Sequence, residues 1–165
     1  NPNSIKFNKN NYSKINFINS SSSLNDIMDN YSNGTGIIKI TGNNINDTIS
    51  TIQNIYNEIE LLRNNKNNGA YIKHISNKYN TSLSVINKII YDNKLPIPIY
   101  ISNISCVMDI EKILVKKHLL TLIDGIIIEN SIFNLKNVEN VENVLHSIIT
   151  MYRKSVCIEN RYDYL

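Results

Sequence analysis

The chain has 165 residues, a formal net charge of +3 and 42% hydrophobic residues. That length bounds it to one domain or one large piece of a larger one, and the charge is too small to argue for nucleic acid by itself. No apolar run approaches the ~18 residues of a membrane span, and no secretory signal is visible. Cys106 and Cys157 lack metal-ligand spacing and read as two buried free thiols in a reducing compartment, so an intracellular protein, cytoplasmic or organellar, is expected. Asn occurs 30 times and Ile 31 times, so a single Asn carries little weight as a functional signal.

In chain order, residues 1–19 offer two short extended pieces, Ser4-Ile5-Lys6-Phe7 and Lys14-Ile15-Asn16-Phe17-Ile18, as a lead-in strand and loop. Leu24, Ile27, Met28 and Tyr31 fall at helical spacing on one face, with serines to cap the start and Asn33-Gly34 to stop the helix. Residues 36–41 form a β-branched run between glycines and predict a buried strand. Ile49, Ile52, Ile55, Tyr56, Ile59 and Leu62 share the face of a second helix, with Asp47 near its start.

Residues 63–95 break the alternation and read as an Asn-rich helical insertion. After a loop over Arg63–Gly69, two short helices flank Asn80-Thr81-Ser82, in the manner of a helix-turn-helix. Its second helix carries few basic residues, so an insertion that packs on itself is expected and nucleic acid is not. Tyr71, Tyr79 and Tyr91 then belong to its local core. Strands are predicted at 97–102, with prolines confined to the entry, at 122–129 and at 155–159. Helices start from Val107 and Val138, the second ending favourably for its dipole at Arg153-Lys154.

Strands alternating with helices point to parallel βα units. Two containers fit: a (β/α)8 barrel, of which this is part, and an open doubly wound sheet. The barrel is favoured because the chain stops at a strand. Residues 1–165 are then part of one α/β barrel domain, and the start at Asn1 suggests a segment of a longer protein. The core should hold Ile38, Ile40, Ile99, Ile101, Ile126, Ile128, Val156 and Ile158.

The order and spacing of several stretches resemble the barrel domain of the pyruvate kinase family. Phe7-Asn8, Asp26-Ile27, Asn33-Gly34, Ile38-Lys39-Ile40-Thr41 and Asp47 follow its early pattern. Its Ile-Ser-Lys-Ile-Glu strand is similar to Ile101-Ser102-Asn103-Ile104-Ser105. Its Asp-Gly-Ile-Met-Val-Ala-Arg-Gly-Asp strand is similar to Asp124-Gly125-Ile126-Ile127-Ile128-Glu129-Asn130-Ser131-Ile132, and its last strand to Lys154-Ser155-Val156-Cys157-Ile158-Glu159-Asn160-Arg161. The resemblance implies transfer of phosphate from phosphoenolpyruvate to ADP with Mg²⁺ and K⁺, a small phosphate ester as substrate, and the rest of a parent chain or another copy of this one as partner. It also implies a lysine and two carboxylates where this chain has Asn103, Ser105 and Ile132, and a threonine where it has Asn160. Phosphoryl transfer depends on such charge, so a degenerate or inactive segment is expected, with no catalytic or metal position intact.

Other readings stay open. Glu129 and Glu159 end two strands where barrel enzymes keep their chemistry and are the best surviving acid pair, although surface acids are the commoner outcome. Asp124 reads as the turn residue before Gly125. His74, His118 and His146 have no metal spacing. An FMN-dependent barrel oxidoreductase, of the dihydrouridine synthase or dihydroorotate dehydrogenase type, needs a glycine turn to cradle the flavin phosphate. Here that turn reads Ser102-Asn103-Ile104-Ser105. A KH-type RNA module needs a Gly-x-x-Gly loop, which is missing. The last alternative is a non-catalytic barrel that serves as an interaction or structural module.

Overall fold

A computed structural model describes residues 14–15, 19–134 and 138–159. The elements run β1 (Lys14–Ile15), β2 (Asn19–Ser20), α1 (Leu24–Ser32), β3 (Ile38–Ile40), α2 (Ile45–Asn64), α3 (Gly69–Lys78), α4 (Leu83–Asp92), β4 (Ile99–Ile104), α5 (Val107–Leu114), α6 (Lys117–Leu120), β5 (Gly125–Ile128), a 3-10 turn (Asn130–Asn134), α7 (Val138–Thr150) and β6 (Ser155–Glu159). The protein is α/β, with one parallel sheet in the order β1-β6-β5-β4-β3-β2.

From β2 to β6 the strand order follows the chain without reversal. Right-handed crossovers between successive neighbours put every helix on the same face. A doubly wound sheet needs a reversal of order to place helices on both faces, and none occurs among the described strands. The helix side of the sheet carries Ile38, Ile40, Ile99, Ile101, Ile126, Ile128, Val156 and Ile158, all buried, as the alternation of the sequence predicts. They join one core with Leu24, Ile55, Ile59, Ile110, Val141 and Leu145 from the covering helices.

The two short strands fix the curvature. β1 pairs with β6 at one end of the ladder, and β2 pairs with β3 at the other. A flat sheet of this order would hold those ends roughly 24 Å apart, at ~4.8 Å per strand spacing. The step from Ile15 to Asn19 can span at most about 14 Å. The sheet therefore curls, and its helix-free face becomes the inside of the curve.

Several boundaries depart from the sequence expectation. Arg63 and Asn64 continue α2 and Gly69 opens α3, because Asn68 caps α3 through its side chain and shortens the loop. Leu122 and Ile123 are buried but precede β5, whose ladder starts only at Gly125. β4 runs two residues further than predicted, through Ile104. Its register against β5 slips between Ile101 and Ile104, which marks a bulge. Cys106 is half-buried rather than buried; Cys157 is buried as expected. The insertion forms its two helices, and Ile72, Ile75, Ile86, Ile89 and Ile90 pack into the same continuous core by way of α2. Of the three tyrosines expected in its local core, Tyr79 is buried and Tyr71 partly so, but Tyr91 is exposed on the outer side of α4.

Candidate functional site

The C-terminal ends of the strands form one rim, from which α1, α2 and α5 depart. All three helices start in the same way. An aspartate three residues after the cap reaches back to the backbone N–H that precedes the cap. Asp26 accepts from Ser22 at 3.2 Å, Asp47 from Asn43 at 3.2 Å and Asp109 from Ser105 at 2.9 Å. In α1 and α2 the cap side chain answers, Ser23 accepting from the Asp26 N–H and Asn44 from the Asp47 N–H. In α5 the cap is Cys106, and its side chain makes no such bond.

Asn103 sits in the β4 bulge at φ 68°, in the left-handed region that Asn tolerates better than most residues. Its Oδ1 accepts from the Gly42 N–H at 2.9 Å, the Thr41 hydroxyl at 3.0 Å and the Thr48 hydroxyl at 2.6 Å. The fixed backbone donor at Gly42 settles which end of the carboxamide is oxygen. Thr48 is fully buried and lies in the first turn of α2. One side chain thus ties the end of β3, the start of α2 and the end of β4 together. Gly42 makes the close approach feasible, since a Cβ there would stand 2.5 Å from the Asp47 Cβ.

The remaining expected site residues divide by position. The Ser105 amide and hydroxyl both donate to Asp109, so Ser105 belongs to the start of α5. Ile132 is fully buried in the 3-10 turn and faces the core. Glu129 and Glu159 stand one residue beyond the paired Ile128 and Ile158, which makes them neighbours on adjacent strands at the rim. Both are half-buried and both take part in further interactions. Asn160 lies outside the described residues. Asp124 is at the opposite end of the sheet, where it accepts the Ile99 N–H at 2.8 Å and acts as a turn residue. His118 bonds to Gln53 and packs edge-on against Tyr56, while His74 is exposed on α3. The residues present do not fit Mg²⁺: Asn103 and Ser105 are engaged within the fold and Ile132 has no ligating atom. Among the described residues, no three His, Cys, Asp or Glu side chains cluster at a metal-holding distance.

Below the rim, the register sets Lys39, Tyr100, Gly125 and Ser155 side by side on the helix-free face. Tyr100 pairs with Gly125, which pairs with Ser155. The Tyr100 ring lies over Gly125, where a Cβ would come within 2.7 Å of it and of the Ser155 carbonyl. Burial pushes the Tyr100 hydroxyl and the Cys157 thiol up, and a hydrogen bond between the two partly offsets the rise on the cysteine. At the strand entries, a cleft of about 210 Å³ holds Lys94, Asp124 and Lys154. Lys154 donates to the Ile123 carbonyl at 2.8 Å; burial lowers its pKa, against a smaller opposite pull from Asp124. A second cleft of about 250 Å³ beside it is lined by Tyr31, Val85, Lys88 and Pro96. Both are lined by residues near the strand entries, at the end of the sheet opposite the rim.

Sequence reasoning placed Asn103 at the rim but missed its role, because the partners Thr41, Gly42 and Thr48 are some 60 positions away in the chain. The Asn44-x-x-Asp47 spacing was a readable signal for the clasp on α2. In comparisons with known proteins, the chain matches no protein-family model and no curated protein.

Proposed function

We propose that the chain is a segment of a (β/α)-barrel domain, pyruvate kinase-like in layout, that transfers no phosphate and acts as a structural or interaction module. The barrel layout is supported by the unreversed strand order, the helices on one face and the curl of the sheet. The observation that carries the non-catalytic reading is the state of the donors at the rim. A phosphate or flavin cradle needs backbone amides turned toward the ligand. Here the Gly42 amide is bonded to Asn103, the Asn43 amide to Asp47, the Ser105 amide to Asp109 and the Glu129 amide to the Ile104 carbonyl. Among the described residues, these four rim amides are spent within the fold and are not turned toward an anion. The charge that phosphoryl transfer requires is also missing where the resemblance calls for it.

The test is coupled pyruvate formation from phosphoenolpyruvate and ADP, with Mg²⁺ and K⁺ present. The expected result is no rate above a protein-free blank. Turnover that disappears in Glu129→Gln or Glu159→Gln would overturn the proposal and make that acid pair the active site.

A further inference from the structure

The charge of the chain is unevenly placed. Residues 63–94 hold six lysines and arginines against one acid, Asp92, while the rest of the chain holds eleven against thirteen. Four of the six, Lys66, Lys73, Lys78 and Lys88, lie on the α3–α4 hairpin and the loop that leads into it; Arg63 belongs to α2, where it pairs with Glu60, and Lys94 follows α4. Such asymmetry suits a polyanionic partner.

The hairpin is also built as a fixed unit. Four residues, 79–82, join the helices, and Asn80 takes the left-handed conformation at φ 51° that such a turn needs. Ser76 is the small buried residue beneath the turn; its hydroxyl donates to the Thr81 carbonyl, and the Thr81 N–H returns a bond to the Ser76 carbonyl. Ser82 caps α4 through its side chain. The inner faces bury Ile72, Ile75, Ile86, Ile89 and Ile90 against the core. From α2, Arg63 donates to the Ile90 carbonyl and to the Asn93 side chain, which anchors the end of α4.

The outer surface is mostly polar, with Leu83 at the start of α4 as an exposed apolar residue beside the turn. On α4, Ser84, Asn87, Lys88 and Tyr91 are exposed at i, i+3, i+4 and i+7, one stripe that starts in the first turn. On α3, Lys73, His74, Asn77 and Lys78 are exposed. Lys66, from the preceding loop, stands 6.0 Å from the centre of the Tyr91 ring. Asp92 lies at the C-terminal end of α4, away from the turn.

We propose that α3–α4 is a helix-turn-helix that docks on duplex DNA. The first turns of α4 enter the major groove, where Ser84 and Asn87 reach base edges, and Lys66, Lys73, Lys78 and Lys88 neutralise phosphates. In such motifs the first helix crosses the backbone while the N-terminal part of the second meets the bases. The shortage of basic residues on α4 is therefore no obstacle: the charge sits on α3 and the loop. Asn is suited to adenine, whose N6 and N7 it can bond together. Duplex RNA fits poorly, because its major groove is too narrow for a helix.

The experiment is fluorescence anisotropy of the full chain with a labelled pool of random 20-base-pair DNA duplexes, at 50 and 200 mM NaCl. Three to four phosphate contacts predict a roughly 40- to 150-fold loss of affinity between the two salts. The paired change Lys73→Glu/Lys78→Glu should weaken binding at least ~10-fold. Lys78 lies in the last turn of α3, 5.7 Å from the Tyr79 ring, so a small drop in melting temperature accompanies the change while the protein stays folded at the temperature of the measurement. The matching change Lys116→Glu/Lys117→Glu, at exposed positions far along the chain, should leave binding intact. Absence of binding at 50 mM salt, indifference to the α3 reversal, or tighter binding of single-stranded RNA or of poly-glutamate would each overturn the proposal. Phosphotransfer and the strand-end rim do not enter this test, so its outcome is independent of theirs.

Discussion

Replacing Cys106 by serine should stabilise the protein. The residue caps α5 with φ −155° and ψ 167°, close to Ser23 of α1 at −149° and 164° and to Asn44 of α2 at −154° and 177°. Backbone and aspartate clasp are already in place at all three helices, and only the α5 cap lacks its side-chain bond. A serine Oγ at this position would share the Asp109 N–H, which already donates to the Cys106 carbonyl at 3.2 Å, in the way that Ser23 accepts the Asp26 N–H at 3.1 Å. A polar cap is typically worth about 1 kcal/mol. Loss of the half-buried thiol subtracts a few tenths of a kcal/mol, by the ~25 cal/mol per Å² of apolar burial. The net gain is about 0.5–1 kcal/mol, or roughly 1–4 °C in melting temperature for a chain of this size. Urea unfolding followed by circular dichroism should show a higher midpoint at unchanged slope. The mirror change, Ser23→Cys, should cost about 1 kcal/mol. If Cys106→Ser lowers stability while Ser23→Cys leaves it unchanged, side-chain capping is not what holds these helix starts, and the reasoning fails.

Gly125→Ala should destabilise by about 1–3 kcal/mol, because the added Cβ meets the Ser155 backbone as well as the Tyr100 ring; combining it with Tyr100→Ala should recover only part of the loss. Asn103→Ala strands the Gly42 amide and the buried Thr48 hydroxyl and leaves a β-carbon residue at positive φ, so a loss of about 2–4 kcal/mol in chemical denaturation is expected, with Asn103→Asp milder than Asn103→Ala. At high pH, the Tyr79 hydroxyl is held up to about 12 by burial first and then by Glu58 and Tyr71. A raised folded pKa means stability that is complete below the unfolded value near 10 and is lost as pH climbs toward 12. Denaturation midpoints should therefore fall across pH 10–12, and Tyr79→Phe should flatten that fall.

The inner strands were legible because a parallel sheet covered by helices needs continuous β-branched runs, and 36–41, 97–102, 122–129 and 155–159 supply them. All eight expected core positions are buried for that reason. Boundaries were less legible. Arg63 and Asn64 look like loop residues, yet they finish α2, where Arg63 reaches Glu60 and the end of α4. Of the two-residue strands that set the curvature of the sheet, β1 falls within the extended piece Lys14–Ile18 that the sequence suggests, whereas β2 at Asn19–Ser20 leaves no pattern to read. The rim was the hardest part to read. In a chain so rich in Asn, nothing marks Asn103 except its left-handed backbone and three distant donors, which only folding brings together.

The pairing of β1 with β6 also constrains the time course of folding. Lys14 meets Ile158 and Ile15 meets Glu159, so β1, the earliest of the described strands to be made, waits for β6, the latest of them. Between them, each strand from β2 to β6 joins a neighbour one crossover away, and those contacts can form in the order of synthesis. Closing a loop of that length costs chain entropy before any new contact repays it. Until β6 arrives, β5 presents an unpaired edge beside a hydrophobic face, a surface prone to adding a foreign strand. The vulnerable species is the chain whose synthesis has passed β5 but not yet reached β6.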